Sequence, residues 1–146
     1  MVQLHANCVR IGAHAVLLRG PSGAGKSALS LRLITAGGFL ISDDRTDIVA
    51  RDGHLIASAP DSIAGLCEVR GIGVVRGLPV KPEGDVRVLI DLETSARDIE
   101  RMPEPDSEEM CGIAIPRWTL CASDLALEAK IGVTLALATG EMRLES

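Results

Sequence analysis

The stretch "GPSGAGKS", Gly20–Ser27, decides how this chain is read. It satisfies the pattern G-x-x-x-x-G-K-[ST] in full, follows the apolar run "AHAVLLR" and opens the segment "KSALSLRLITAGG". A strand before such a loop and a helix after it are the context in which it holds phosphate. Glycines at Gly20, Gly23 and Gly25 let the backbone curl so that successive amides point inward at phosphate oxygens. The helix N-terminus adds its positive end. The loop from Gly20 through Pro21, Ser22, Gly23, Ala24 and Gly25 to Lys26 and Ser27 is therefore the candidate nucleotide site. Within it, Lys26 reaches the terminal phosphates and Ser27 offers a hydroxyl to Mg²⁺.

Working outward, "LHANCVRIG" and "AHAVLLRG" read as two strands of a hairpin turning at Gly12. The helix after the loop presents Leu29, Leu33 and Ala36 on one face and stops at Gly37 and Gly38. "FLISDD" is a short buried strand, and "DIVARDGHLIASAP" is a second hairpin about "RDGH". "AGLCEVRGIGVVRGLPV" shows no regular period. "DVRVLIDLE" is a strand, "SARDIERM" a short helix or turn, and "PEPDSEEM" an acidic, proline-broken, solvated loop. "CGIAIPRWTL" is a strand with Pro116 near its edge, and Ser123 or Asp124 caps a final helix that ends at Gly140. These elements predict one α/β domain over residues 1–146.

Composition narrows the function classes. With one Phe, one Trp and no Tyr, the core is built from Leu, Ile, Val and Ala, and stacking platforms for single-stranded nucleic acid are missing. A net charge of −5 argues against a general polyanion binder, so phosphate affinity must be local. No stretch reads as a signal peptide or membrane span. Cys8, Cys67, Cys111 and Cys121 have no ligand-type spacing, and reduced thiols in the cytoplasm are expected.

Four further features bear on chemistry. Asp43 and Asp44 end the strand after the loop helix, and ligands of open α/β sheets gather at the carboxyl ends of strands. Neighbouring strand residues point apart, so one acid can accept a proton while the other steadies a metal or a base. The pair reads equally well as a turn that caps "RTD". Glu68 and Arg70 lie two residues apart on one side of an extended segment, as an acid for Mg²⁺ beside a cation for phosphate, or as a surface ion pair. His5 alone reads as a structural histidine, and Arg101 as a solvated helix charge.

Taken in order, "LHA", "GPSGAGKS", "SDDRTDI" and "GLCEVRGIGVV" resemble the motifs of the HPr kinase/phosphorylase family over roughly Leu4 to Leu120. The most specific element is E-x-R-G-x-G at Glu68–Gly73. The resemblance implies a P-loop domain of the HPr kinase/PEP carboxykinase type, with a mixed, partly antiparallel sheet and few helices. It implies an ATP- and Mg²⁺-dependent enzyme that phosphorylates a serine of the small phosphocarrier HPr in a bacterial phosphotransfer system. By position it makes His5, Lys26, Asp43, Asp44, Arg70 and Arg101 catalytic and Ser27 and Glu68 metal ligands. One aspartate of the pair would take the serine proton. A homo-oligomer, a hexamer as in the family, is expected.

Three departures qualify the resemblance. The N-terminal domain of the usual members is expected to be absent, as in short α-proteobacterial forms. The family segment resembling P-V-x-x-G-R-N, tied to dephosphorylation, is replaced by "CASDLAL". The C-terminal helical region ends soon after Gly140. Kinase activity is therefore expected, with weak dephosphorylation. The rival readings are a P-loop kinase for a small hydroxyl compound and a nucleotide-sensing module without catalysis.

Overall fold

The computed structural model describes residues 1–145. The first strands are β1 (Val2–Leu4), β2 (Asn7–Ile11) and β3 (His14–Arg19), followed by helix α1 (Lys26–Thr35). Next come β4 (Phe39–Ser42), β5 (Thr46–Arg51), β6 (His54–Ser58), β7 (Leu66–Val69) and β8 (Gly73–Arg76). The chain closes with β9 (Glu83–Glu93), β10 (Asp106–Met110), β11 (Ile113–Cys121) and α2 (Leu127–Thr139). The main sheet runs β1-β5-β6-β9-β3-β2-β4, with β11 beside β9 and β10 outside β11. Its centre is parallel, β3 to β9 and β9 to β11, and the other strand pairs are antiparallel. The mixed sheet with two α-helices is the fold class that the sequence predicts.

Strand β3, "HAVLLR", explains the layering. Its side chains alternate, and four apolar residues in a row leave neither face suited to water. Val16 and Leu18 enter one core with Leu29, Leu33 and Ile34 of α1 and Leu127, Ile131 and Leu135 of α2. Ala15 and Leu17 enter a second core with Ile48 and Leu55 of the β5–β6 hairpin and Met110 and Ile115 of β10–β11. Both helices thus lie on one face, and the β5–β6 and β10–β11 hairpins close the other.

A bulge in β9 makes this arrangement possible. Ala15 pairs with Val86 and Val16 with Val88, so Arg87 is an extra residue on the β9 side. The insertion breaks the period of two: Val86 joins the second core, whereas Val88, Ile90 and Leu92 join the first. Arg87 is turned out to the carbonyl of Ala138 in α2, 3.1 Å away. Before the bulge β9 pairs with β6, and after it with β11. Gly84 lies at this junction because a Cβ there would come within 2.6 Å of the Ala15 Cβ.

Several local expectations need correction. Asp106–Met110 of "PEPDSEEM" is strand β10, not a solvated loop, because Glu108 and Asp106 are bound by arginines and Met110 is buried. The "LHANCVRIG" segment breaks at His5 and Ala6 into β1 and β2, which pair with β5 and β3 respectively. Ala36 is exposed at the end of α1, and Ile34 takes the core position instead. Pro116 lies opposite Ser107 of β10, and the pairing of β11 with β9 begins only at Arg117, so the proline does sit at the edge of that ladder. Helix α2 starts after Ala126, not directly at Ser123 or Asp124, although Asp124 Oδ1 accepts the Ala126 N–H at 2.8 Å. "GLCEVRGIGVV" is a two-stranded ribbon, β7–β8, turning through Arg70–Ile72. Among the described residues no helix is long and apolar enough to cross a membrane.

An ion network ties the end of β3 to β9, β10 and β11. Arg19 bonds both oxygens of Asp91 at 2.7 and 3.0 Å and both of Glu108 at 2.7 and 2.8 Å. Arg117 reaches Asp91 at 2.5 Å and Asp106 at 2.7 Å. Burial alone would raise the Asp91 carboxyl, but the bonds from Arg19 and Arg117 outweigh it and hold it below its usual range. The bond from Arg19 lowers Glu108 likewise. Carboxyls depressed in the folded state contribute stability above the unfolded value of about 4 and lose it as pH falls through the folded values. Urea midpoints should therefore fall as the pH drops below that range. Asp91→Asn should cost about 2 kcal/mol near neutral pH and flatten this acid limb. An unchanged acid limb in the variant would place the pH dependence elsewhere.

Candidate active site

The loop Gly20–Gly25 leaves the carboxyl end of β3 and enters α1 through Gly25, whose φ of 104° is strained for any residue with a side chain. Among the described residues no side chain caps α1, and its first turn carries no acid. The positive helix end is thus left to an anion. Lys26 is 7% exposed, and its Nζ donates to the carbonyls of Gly20 at 2.5 Å and Pro21 at 3.4 Å. The ammonium is held inside the curl of the loop.

Opposite the loop, the end of β4 delivers the acid pair. Asp43 is 8% exposed and fully engaged. Its Oδ1 accepts from Asn7 Nδ2 at 2.7 Å and Ser27 Oγ at 2.9 Å, and its Oδ2 accepts from the Glu68 N–H at 2.9 Å. Asp44 differs in every respect. Its backbone is left-handed, with φ of 71°, its side chain is open to solvent, and Oδ1 lies 2.7 Å from His5 Nε2. An ionised carboxylate only accepts, so Nε2 carries the proton of this bond. The two aspartates part because of this left-handed turn, not because a strand alternates.

One cleft of about 530 Å³ gathers these groups. It is lined by His5, Ser22, Gly23, Gly25, Lys26, Ser27, Asp43, Asp44, Glu68 and Arg70, together with Ala28, Leu31 and Val69. Its size suits a small ligand. Gly20 and Pro21 do not line it but hold Lys26, and Ala24 is buried in the helix-side core. Arg101 is exposed beyond the short turn Ala96–Asp98 and does not line the cleft. A second cavity of about 230 Å³, between β6, β9 and β11, shares no residue with it.

The donor set fits Mg²⁺. Among the described residues no three His, Cys, Asp or Glu side chains gather as a metal cage. Mg²⁺ takes few protein ligands and completes its shell with phosphate and water. Ser27, fixed by Asp43, and Glu68 on the facing wall are hard oxygen donors of that kind.

Sequence reasoning missed Asn7. It is fully buried, yet it bonds Asp43, Asp44 and Ser30. The available signal was an amide opening the apolar strand "NCVRI", since a polar group in such a place must find partners.

The wall behind Glu68 is closed. Full burial holds the Cys8 thiol above its usual range. Cys67 is pushed up to about 11, first by burial and then by the charges of Asp43 and Glu68. Cys111 is exposed. Iodoacetamide near neutral pH should alkylate Cys111 in the native protein and spare Cys8 and Cys67 until denaturant is added. Equal rates at Cys67 and Cys111 would show that β7 does not close the cleft.

Comparison with known proteins adds to this geometry. The family described as HPr Serine kinase C-terminal domain matches residues 1–131. An HPr kinase/phosphorylase of Limosilactobacillus reuteri is 31% identical over 144 residues, covering 92% of this chain and 43% of the relative. One from Clostridium botulinum is 45% identical over 73 residues, covering 50% of this chain and 24% of its own length. The chain thus spans less than half the length of these relatives. The solved Hpr(Ser) kinase/phosphatase of Coxiella burnetii superposes with a TM-score of 0.84 at 28% identity, covering 97% of this chain and 100% of that one. The cleft therefore sits in a chain that belongs to the HPr serine kinase C-terminal domain family.

Proposed function

We propose that this chain forms one catalytic domain that transfers the γ-phosphoryl group of ATP to a serine of the phosphocarrier protein HPr. The observation that carries this reading is that the P-loop Lys26 and Ser27 share one cleft with Asp43, Asp44, Glu68 and Arg70. Pure nucleotide sensing does not require the open acid. Membership of the family supports HPr as acceptor over a small hydroxyl compound.

The contrast between the aspartates supports separate roles. Asp44, exposed and held at one oxygen by His5, takes the proton of the serine hydroxyl as that oxygen attacks the γ-phosphorus. The bond from phosphorus to the β–γ bridging oxygen breaks, ADP leaves, and the proton stays on Asp44. Asp43 already accepts three hydrogen bonds and is poorly placed to do this. It orients Ser27, which with Glu68 would hold Mg²⁺. When bound, Mg²⁺ supplies charge neutralisation at the phosphates. Lys26 exchanges its loop carbonyls for phosphate oxygens, and Arg70 faces the transferring group from the opposite wall. Arg101 lies outside the cleft and takes no step in this scheme.

The reverse reaction needs a further anion site for inorganic phosphate. Arg117, which could have compensated for the missing family segment, is engaged by Asp91 and Asp106. Asp124 is paired with Lys130, so it repels an anion less than its bare charge would, but it offers no donor. This supports a strong kinase and a weak phosphorylase.

Lys26→Ala should abolish transfer to HPr and weaken ATP binding while the protein stays folded; near-normal turnover would remove the loop from the mechanism. Asp44→Asn should lower kcat by about a hundredfold or more, in the range for loss of a general base. Asp43→Asn should instead raise the Mg²⁺ requirement and lower stability. Equal and mild effects from both would contradict the assignment. Serine-phosphorylated HPr incubated with phosphate, Mg²⁺ and enzyme should release pyrophosphate far more slowly than the kinase reaction runs. Comparable rates would contradict the directional reading.

A further inference from the structure

We infer that Asn7 is the positioning residue that divides the acid pair into one buried and one reactive aspartate. The inference rests on the proposed kinase reading for its kinetic consequence, but its structural content is independent of that reading. Asn7 opens β2 opposite Leu18, with no exposed surface. In the pairing of β2 with β4, Cys8 faces Ser42, so Asn7 lies just past the end of β4, level with Asp43 and Asp44.

Its amide group is used completely. Nδ2 donates to Asp43 Oδ1 at 2.7 Å and to Ser30 Oγ at 3.0 Å, with Ser27 Oγ more distant at 3.4 Å. Oδ1 accepts the Asp44 N–H at 3.1 Å. Asp43 can only accept and the Asp44 amide can only donate, so one orientation of the side chain satisfies both. The Ser30 hydroxyl in turn donates to the Lys26 carbonyl at 2.9 Å, which links the contact to the first turns of α1.

The two ends of one amide thus act on neighbouring residues in opposite ways. The nitrogen fixes the Asp43 side chain inward, beside Ser27. The oxygen holds the Asp44 backbone in a left-handed conformation that a residue with a Cβ adopts only when its surroundings favour it. That conformation aims the Asp44 carboxylate at His5 and the cleft. Without the acceptor, the turn is free to relax toward right-handed or extended backbone, and the carboxylate moves off His5. Asn7 touches neither phosphate nor acceptor hydroxyl in this scheme; it acts on the proton acceptor through the Asp44 backbone and on Ser27 through Asp43.

The test compares Asn7→Ala, Asp44→Asn and the double variant, each against ATP and HPr at saturating Mg²⁺, which offsets the part of the effect that reaches Ser27 through Asp43. Asn7→Ala is expected to lower kcat about thirtyfold or more and to shift the ATP dissociation constant by less than about threefold, because the loop amides and Lys26 are untouched. In the double variant the two losses should not multiply, and the loss should stay near that of Asp44→Asn alone. Hydrogen exchange supplies a readout free of activity. The Asp44 amide should lose protection in Asn7→Ala while the Leu29 amide, bonded to the Gly25 carbonyl, keeps it. If Asn7→Ala does not fold, Asn7→Val is measured in the same way, since it fills the space of the amide with a side chain that has no acceptor for the Asp44 N–H. Multiplying losses, or an Asp44 amide as protected as in the wild type, would overturn the inference. A wild type that leaves HPr unmodified would overturn the kinase reading instead, with the exchange result still deciding the role of Asn7.

Discussion

A nearly buried carboxylate must have its charge met by donors, and Asp43 is where that demand organises the molecule. Its three hydrogen bonds come from Asn7 at the start of β2, Ser27 in the first turn of α1 and the Glu68 N–H of β7. Four separate segments are drawn to one point. The P-loop helix is thereby set against the acid strand, and the β7–β8 ribbon is brought over the cleft with Glu68 and Arg70 facing inward. The apolar core already packs α1, β2, β4 and β7 together, and the Asp43 bonds add the alignment of their polar groups at the cleft.

The sheet supplies the rigid side of the arrangement. Strands β3 and β9 are parallel neighbours, so the loop after β3 leaves from a buried strand packed on both faces. Arg19, the last residue of β3, is held by Asp91 and Glu108 immediately before the first loop glycine. The same network engages Arg117. Guanidiniums that might have served phosphate are thus committed to structure, and Lys26 and Arg70 are the cations that line the cleft.

How far this was legible in the sequence depends on whether a feature is local. The loop and its flanking strand and helix follow from glycine spacing and apolar period, and the structure places them as expected. The hairpin at Gly12, the turn at Asp52 and Gly53, and the Gly140 stop are equally local. The strand character of Asp106–Met110 was not legible, since its acids look solvated until Arg117 of the next strand and Arg19 of distant β3 pair with them. The bulge at Arg87 depends on a partner strand that a local period does not reveal, and the β7–β8 ribbon pairs locally but its glycines and the exposed Val74 blur the alternation. At the site, Lys26, Ser27 and the acid pair were found by motif and family resemblance. Asn7 was not, because a buried amide carries no motif and its meaning lies in contacts thirty-six and thirty-seven residues away. The Asp44 turn escaped for the same reason: strand alternation anticipated divergent aspartates, whereas a left-handed residue produces the divergence.

The central claim is that this cleft passes a phosphoryl group from ATP to a protein serine. The most direct measurement incubates the chain with Mg²⁺ and ATP and offers HPr in competition with small hydroxyl acceptors, then maps the products by mass spectrometry. The account requires a single phosphoryl group on one HPr serine, formed about a hundredfold more slowly or worse with Asp44→Asn and absent from the small acceptors. ATP consumed with HPr unmodified, or a small hydroxyl compound phosphorylated in its place, would contradict it.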